Sequence, residues 1–325
     1  MLMPYIVHEY LMHAVYFAPR GRHRLTDLGS DLAQRYLTPH DKLIGFIGDA
    51  GAGKSLLIRG MFPGLELTND DEGINLRPLP LLEDARRGHF RYHTYHLDVR
   101  FETAFAQPYE LAEAVDKAME NDRRVVVEHF DLLYPHLTYN ANILVGIGEE
   151  VIVTSPGIFG PEPQEIADIV FESLIYRKMA HSAEDITSCV LREMGLSEPS
   201  EHDDMKHGFV LEFREKPNID LDEVQRRVLE IINKNAALQY LDERHIKVGD
   251  RIIKCTGPRL HVSCTGKIEN FRLLKEFKWD PINKMYAIAG LVGPVREDES
   301  PDHPNRFRLI TKAKKRSESL KFKED

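Results

Sequence analysis

Residues 43–55 read Leu43-Ile44-Gly45-Phe46-Ile47-Gly48-Asp49-Ala50-Gly51-Ala52-Gly53-Lys54-Ser55. The apolar run at the start predicts a buried strand. The segment from Gly48 to Ser55 then fits the pattern GxxxxGK[ST] at every fixed position. A strand, a glycine turn and a helix start in this order direct successive backbone N–H groups at phosphate oxygens. The run therefore predicts a phosphate-binding loop, or P-loop, in an α/β domain with a parallel sheet and flanking helices.

The predicted loop assigns a role to each of its residues. Its bound cofactors would be ATP or GTP together with Mg²⁺. Lys54 would bridge the outer phosphates and assist catalysis, and the hydroxyl of Ser55 would bind Mg²⁺. The residues expected to contact the nucleotide are Gly48, Asp49, Ala50, Gly51, Ala52, Gly53, Lys54 and Ser55.

A second strand, which ends in acidic residues, is expected beside the first. Residues 108–121 have the apolar spacing of a helix, and residues 123–131 follow as an apolar strand with acids at its end. Next to a P-loop, such a terminal acid orients Mg²⁺ or water, and Glu128 and Asp131 are both candidates. Residues 150–154 predict a further strand, and helical stretches between strands favour a parallel arrangement.

Two basic segments in this half have less certain roles. Residues 86–96 predict a strand at the rim of the nucleotide cleft, with His89 and His93 on one face and His96 on the other. Its Arg and His side chains would meet substrate phosphate or be plain polar edge residues. Residues 20–24, Arg-Gly-Arg-His-Arg, precede the first predicted strand and predict a solvated loop, with contact to an anionic ligand as the alternative.

Composition sets the broad class of protein. The chain has 325 residues, 42% hydrophobic and 29% charged, with a net charge of −9, which is typical of a soluble globular protein large enough for two domains. The start is not shaped as a signal peptide and no apolar run could span a bilayer, so we expect a cytoplasmic location and no membrane partner. The three cysteines do not suggest a disulfide framework.

The pattern changes at about Tyr176, where we expect a second domain to begin. Residues 180–195 predict a helix that places His181 and Asp185 on one face, four residues apart, where they could hold one metal ion. Residues 211–214 predict a strand, and 221–235 predict a helix capped by Asp220. Farther on, residues 251–268 bring Cys and His together in a loop that contains glycine.

These segments resemble the second additional domain of alanyl- and threonyl-tRNA synthetases and of free-standing alanyl-tRNA editing proteins. His181-Ser182-Ala183-Glu184-Asp185 is similar to the family's HxxxH helix, Cys255 to Ile268 to its CxGTHV-x-x-TGxI loop, and Asn283 to Gly290 to its closing strand. The resemblance covers roughly residues 180–293 and implies an α+β editing-like fold. It also implies a zinc site and hydrolysis of the ester of a mischarged tRNA.

Carried over by position, the resemblance implies zinc ligands at His181, Cys255 and His261. The second helix histidine of the family is Asp185 here, and the spacing from Cys to His is two residues longer. A carboxylate is an acceptable fourth zinc ligand. The alternative is a domain that keeps the fold without metal, with Cys189, Cys255 and Cys264 as small core residues.

The whole chain is similar to a bacterial family that joins a P-loop domain to this synthetase-like module. We expect a P-loop domain over residues 1–175, the module over 176–300 and a basic tail over 301–325. The foremost hypothesis is an ATP-dependent enzyme acting on an aminoacyl ester or an amino-acid-like group, with nucleotide and tRNA or a small molecule as partners. The oligomeric state cannot be read from the sequence.

Two other functions fit the same residues. Residues 125–128 resemble the Glu-bearing strand of uridine-kinase-like P-loop kinases, and residues 176–185 resemble their lid segment. This resemblance implies a phosphotransferase in which Arg177 and Lys178 clamp the phosphoryl group. A non-enzymatic switch that binds tRNA or a protein would instead use the tail around Lys312–Arg316, with Arg306 and Arg308.

Overall fold

The computed structural model describes residues 13–68, 79–242, 244–255 and 260–295. Its first part is an α/β layer built on a six-stranded sheet. The strands are β1 (Ala14–Phe17), β2 (Leu43–Ile47), β3 (Thr94–Asp98), β4 (Arg124–Glu128), β5 (Ile143–Ile147) and β6 (Glu150–Thr154). The helices of this part are α1 (Arg22–Tyr36), α2 (Lys54–Met61), α3 (Pro80–Arg87), α4 (Val99–Glu102), α5 (Pro108–Glu120) and α6 (Phe130–Leu133).

The centre of this sheet is parallel. The strand order is β1-β6-β5-β2-β4-β3, and β2 pairs in parallel with β4 and β5 while β3 pairs in parallel with β4. Every residue of β2 is buried. Leu43 faces one apolar cluster and Ile44 the other, because successive side chains of a strand point to opposite faces of the sheet. The predicted α/β class with a buried central strand is confirmed at this level.

The parallel arrangement does not extend to the edge. β6 pairs antiparallel with β5, and β1 pairs antiparallel with β6. Only Gly148 and Glu149 separate β5 from β6, and a parallel neighbour would need a crossover of a dozen residues or more. The expectation that residues 150–154 continue the parallel sheet is therefore wrong in its direction, although the strand is present.

Two glycines allow α1 to pack directly against α2. A Cβ atom on Gly60 would lie 2.0 Å from the carbonyl oxygen of Thr26, and one on Gly29 would lie 2.4 Å from that of Leu57. The backbones of the two helices therefore touch at this crossing. Because α2 begins at Lys54, this contact fixes the helix that starts at the glycine loop.

The close contact makes Gly60 a sensitive position for stability. We expect Gly60→Ala to lower the free energy of unfolding by about 2 kcal/mol or more, because α1 must move away from an added methyl group. Gln34→Ala, at an exposed site of α1, is the control and should change it by less than about 0.5 kcal/mol. Chemical denaturation would measure the free energy of unfolding of both variants. Equal losses of stability would show that α1 and α2 can move apart at this crossing without cost.

One long helix, α7 (Pro163–Glu193), joins the two parts of the chain. It starts at a capping box formed by Glu162 and Glu165 and runs through the predicted boundary at 175/176 without interruption. The helix predicted from residue 180 is thus the second half of a longer one. The described residues up to Gly293 form one compact unit.

The second part is α+β. Its main sheet is antiparallel and contains β7 (Glu201–Met205), β8 (Gly208–Phe213), β12 (Arg272–Leu273), β13 (Lys278–Asp280) and β14 (Met285–Leu291). A smaller antiparallel sheet contains β9 (Leu238–Tyr240), β10 (His245–Val248) and β11 (Arg251–Lys254). The helix α8 (Leu221–Asn233) shares an apolar core with the second half of α7.

The predicted elements of this part form close to their expected positions. The strand predicted at 211–214 is the end of β8, and that predicted at 283–290 corresponds to β14. Asp220 caps α8 by accepting from the backbone N–H of Asp222. Glu223 does not complete a capping box, because its carboxylate binds Arg226 and Arg227. In the part of the chain that is described, no helix has the length and apolar character to cross a bilayer.

Candidate functional sites

The segment from Gly48 to Ser55 forms a tight loop between β2 and α2. Gly51 and Gly53 have φ values of +77° and +100°, which favour glycine because a Cβ atom is strained there. Lys54 begins α2 and is only 4% exposed. Its ammonium group folds back over the loop and donates to the carbonyl oxygens of Gly48 and Asp49, each at 3.1 Å. The loop thus holds a buried cation at the N-terminus of a helix.

Glu128 meets this loop from the neighbouring strand. It ends β4 opposite Phe46 of β2 in the parallel register, and its Oε1 accepts from the Ser55 hydroxyl at 3.0 Å. Its Oε2 lies 3.7 Å from the Lys54 ammonium. Burial alone would raise the pKa of Glu128, but His96, Lys54 and Ser55 together lower that pKa to about 2. The carboxylate is therefore ionised at neutral pH.

Asp131 makes none of these contacts among the described residues. It is on α6, and its Oδ1 is buried with no hydrogen-bond partner among the described residues. Burial raises the pKa of Asp131. Of the two acids that the sequence proposed, the structure brings Glu128, and not Asp131, to Ser55.

The basic segment before β3 differs from its prediction. Residues 86 and 87 end α3, Gly88 leaves the helix with φ +67°, and the strand starts only at Thr94. His89 and His93 therefore precede the strand rather than sharing one of its faces. His96 is the histidine that reaches the loop site, since its Nε2 lies 3.3 Å from Glu128 Oε1 and its Nδ1 accepts from the backbone N–H of Thr68 at 3.1 Å.

Sequence reasoning missed three groups at the same edge of the sheet. Asp98 ends β3 in register with Glu128 and is 7% exposed. His129 follows Glu128 with φ +58°, and burial and the charge of Lys54 lower the pKa of His129 to about 4. Glu102 on α4 is fully buried. The signal that could have revealed Asp98 is its position at the carboxyl end of an apolar strand, the same signal that pointed to Glu128.

Glu102 predicts a dependence of stability on pH. Burial raises the pKa of Glu102 to about 8, so between its unfolded pKa and about 8 the folded protein binds a proton that the unfolded chain has released. We therefore expect stability to fall as pH rises through this window, by at most ~1.4 kcal/mol per pH unit. Denaturation from about pH 5 to about 9 should show a shallower fall for Glu102→Gln. The exposed control Glu120→Gln should follow the wild type, and identical profiles for all three would contradict this role.

Two exposed cations flank the loop at Asp49. The ammonium group of Lys178 lies 3.5 Å from its carboxylate, and the guanidinium of Arg100 lies 3.9 Å from it. Arg177, the residue before Lys178 on α7, is fully buried and donates to the carbonyl oxygens of Ala52, Gly148 and Pro19. Arg177 is therefore a structural contact of the loop rather than a mobile clamp.

The segment 20–24 is not a solvated loop. Arg20 is 5% exposed, forms an ion pair of 2.7 Å with Glu184 and another of 3.0 Å with Asp204. α1 begins already at Arg22. The burial of Arg20 is compensated by these two acids, both of which come from the second part of the chain. No local pattern could show that, because the partners lie far away in sequence.

A second site brings together the four predicted metal ligands. His181 and Asp185 lie one turn apart on α7, Cys255 follows β11, and His261 lies beyond it. One ligand atom from each falls within 4.8 Å of all the others. Cys255 Sγ lies 3.4 Å from His181 Nε2 and 3.5 Å from His261 Nε2. Asp185 Oδ2 lies 3.6 Å from His181 Nε2 and 2.8 Å from His261 Nε2.

Three of these four distances fit the ligand shell of a tetrahedral metal ion. With Zn–N bonds of about 2.0–2.1 Å and a Zn–S bond of about 2.3 Å, neighbouring ligand atoms lie about 3.3–3.6 Å apart. The pair at 2.8 Å is a hydrogen bond between Asp185 and His261, and it would open slightly around an ion. Two imidazoles, one thiolate and one carboxylate form a donor set that suits zinc. The residues present therefore fit the metal.

The charge state of His181 suits metal binding, whereas burial raises the pKa of Asp185. Burial, with the neighbouring His261 and Arg20, lowers the pKa of His181 well below its usual value. The imidazole is thus neutral, which is the form that binds metals. Its Nδ1 is buried without a hydrogen-bond partner among the described residues. Cys189 and Cys264 lie outside the cluster, and residues 256–259 of the connecting loop lie outside the described residues, as does the basic tail.

No protein-family model matches this chain, and no curated protein matches its sequence.

Proposed function

We propose that this protein binds a nucleoside triphosphate with Mg²⁺ at the Gly48–Ser55 loop and uses it to drive or control chemistry at the His181–Asp185–Cys255–His261 site. ATP or GTP would be the nucleotide, and the substrate would be an aminoacyl ester or an amino-acid-like group. The observation that carries the proposal is the meeting of Lys54, Ser55 and an ionised Glu128 at one loop. Cation, hydroxyl and carboxylate are the groups that hold Mg²⁺ and triphosphate in phosphoryl chemistry.

The residues of the loop have distinct tasks in this proposal. Ser55 and Glu128, now joined by a hydrogen bond, would turn to Mg²⁺ and its water shell. Lys54, now held by two backbone carbonyls, would pair with the outer phosphates. Lys178 and Arg100 stand on the solvent side of the loop and would supply further positive charge to the phosphate end. Glu128 suits this task because its low pKa keeps it ionised at neutral pH.

The second site would recognise the group that reacts. His181, Asp185, Cys255 and His261 would hold a zinc ion. Because four protein ligands fill a tetrahedral shell, a substrate carbonyl oxygen would have to displace one of them or add as a fifth ligand before the ion could polarise it. Asp185 and His261 are the more accessible of the four, with side chains 12% and 10% exposed. A substrate would therefore approach from their side, while His181 and Cys255 fix the ion from the interior.

Nucleotide binding is tested first, with the full chain. Titration calorimetry with Mg·ATP and Mg·GTP should give saturable binding, and Ser55→Ala should weaken it only when Mg²⁺ is present. Ser30→Ala, an alteration of the same kind on α1, should bind like the wild type. Absence of binding for both nucleotides would overturn this part of the proposal.

The reaction is tested by mischarged tRNA. We expect the zinc-loaded protein to release the amino acid from mischarged tRNA and expect ATP turnover to rise when this substrate is present. Correctly charged tRNA is the matched control. If neither deacylation nor a change in turnover occurs, the tRNA substrate is wrong, and activated esters of single amino acids then test the small-molecule form.

A phosphotransferase is the second candidate, and the position of Asp98 favours it. Asp98 lies in strand register with Glu128, at the edge of the sheet where the loop begins, and its Oδ1 accepts from the backbone N–H of Phe101. An acid at this edge could accept a proton from a substrate hydroxyl. This function predicts a phosphorylated small product from ATP and a hydroxylated metabolite, detectable by mass spectrometry. Asp98→Asn should abolish that product, whereas it should leave ester hydrolysis at the other site intact.

A further inference from the structure

The helix α7 contacts both candidate sites within three turns. Arg177 donates to Ala52 of the glycine loop at 2.8 Å, and Lys178 reaches Asp49 at 3.5 Å. One turn later, His181 and then Asp185 enter the metal-ligand cluster. Because an α-helix rises about 5.4 Å per turn, the loop contacts and the first ligand are neighbours on one rigid element. The segment from Arg177 to Thr187 is almost entirely buried, so it cannot bend freely between them.

A second connection ties the other half of the ligand set to the same elements. Leu260, the residue before His261, is fully buried in the apolar cluster that also contains Ala52 of the loop. On the other side of His261, the backbone N–H of Val262 donates to the hydroxyl of Ser182 at 3.1 Å. That hydroxyl in turn donates to the carbonyl oxygen of Lys178 at 2.8 Å. His261 is thus held between the loop's core and the turn of α7 that carries Lys178.

We propose that α7 couples the two sites, so that a nucleoside triphosphate in the Gly48–Ser55 loop strengthens metal binding at His181, Asp185, Cys255 and His261, and bound metal strengthens nucleotide binding. The proposal rests on the proposed function, since it requires that both sites bind. We expect the coupling to be positive because of preorganisation. The helix segment is already rigid, so the ligand that binds first orders either the Lys178 side chain or the backbone beside His261, which are joined through Ser182, and the second ligand then orders less of the protein. Linkage requires the same factor in both directions.

In this proposal Lys178 is the residue that contacts the bound nucleotide and links it to the metal ligands. Its side chain is 30% exposed and its ammonium group lies 3.5 Å from Asp49 of the loop. Its carbonyl oxygen accepts from the Ser182 hydroxyl, which in turn accepts from the backbone N–H beside His261. A triphosphate would compete with Asp49 for that ammonium group. The new contact would hold the Lys178 turn in place, and that turn is continuous with the metal ligands.

The coupling can be measured on the full-length protein with zinc as the metal. The affinity for a fluorescent, non-hydrolysable ATP analogue in excess Mg²⁺ is compared for zinc-loaded and chelator-treated protein, with no free zinc present. We expect at least about a fivefold tighter nucleotide complex in the zinc-loaded form. In the reverse direction, the release of zinc to a chromophoric chelator should slow when the Mg²⁺ complex of the analogue is bound. The second measurement uses only zinc-loaded protein, so it tests the coupling even if the metal-free protein does not fold.

The variant Lys178→Met tests whether the coupling between the two sites passes through the Lys178 side chain. This variant should still bind zinc, but the zinc-dependent gain in nucleotide affinity and the nucleotide-dependent slowing of zinc release should fall to about onefold. Arg192→Met, which removes an exposed cation from the same helix, is the matched control and should keep the wild-type coupling. Full coupling in Lys178→Met would overturn the route, and independent binding in the wild type would overturn the coupling itself. Failure of either ligand to bind at all would instead refute the proposed function.

Discussion

Replacing Lys54 with Met is expected to weaken binding of Mg·ATP or Mg·GTP by at least about 100-fold, and to remove any triphosphate turnover. Lys54 is 4% exposed and lies between two loop carbonyls and Glu128. Removing one partner of a buried, hydrogen-bonded charge pair between protein and ligand costs about 2–5 kcal/mol of binding free energy, and tenfold in affinity corresponds to about 1.4 kcal/mol. Methionine keeps the length and apolar stem of the side chain, so the change isolates the charge.

The control for this prediction is a lysine that carries the same charge elsewhere. Lys117→Met alters an exposed residue of α5 that pairs only with Glu113 among the described residues. It should bind nucleotide like the wild type in titration calorimetry. A wild-type dissociation constant for Lys54→Met, with the fold intact by circular dichroism, would show that the loop does not bind triphosphate through this lysine.

Replacing Cys255 with Ala is expected to lower zinc affinity by more than about 100-fold. Loss of an outer-shell partner already costs 10- to 100-fold in typical metal sites, and Cys255 would be a direct ligand. Its Sγ lies within 3.5 Å of the Nε2 atoms of His181 and His261, so its removal would leave one position of the ligand shell empty. Zinc content after dialysis, together with competition against a chelator, measures the loss.

The other two cysteines supply matched controls. Cys189 and Cys264 lie outside the ligand cluster, so Cys189→Ala and Cys264→Ala should bind zinc like the wild type. Asp185→His tests the same geometry from the opposite side, because an imidazole at this position should keep the site tetrahedral and retain zinc. Absence of stoichiometric zinc in the wild type, or unchanged binding in Cys255→Ala, would reject this site.

The elements that could be predicted from the sequence were those whose signals lie in neighbouring residues. The run from Leu43 to Ser55 specified strand, turn and helix start because strand pattern and glycine spacing lie next to each other. Asp220 was found for the same reason, since a helix cap is a local contact. The prediction that the histidine segment before β3 lies in the strand was wrong, because α3 ends at Gly88 and the strand begins six residues later.

Contacts between distant residues could not be foreseen in this way. Arg20 read as part of a solvated basic loop, yet it is buried against Glu184, 164 residues away. Arg177 read as a phosphoryl clamp, yet its guanidinium holds three backbone carbonyls. In each case the local pattern is only an abundance of positive charge, and the tertiary partners decide whether that charge is solvated or buried.

The sequence by itself determined the order of strand, glycine turn and helix at residues 43–55 and the placing of His181 and Asp185 on one helix face, because backbone turns and residues four apart on a helix are set by neighbours along the chain. Only the tertiary structure decided that Glu128 and not Asp131 meets Ser55, since strand order and register place one acid at the loop. It also shows that Cys255, 74 residues from His181, lies with its Sγ 3.4 Å from His181 Nε2, a contact that the sequence implied only through a family resemblance. Such distances depend on how α7 packs against two sheets, and packing is a property of the whole folded chain rather than of any segment.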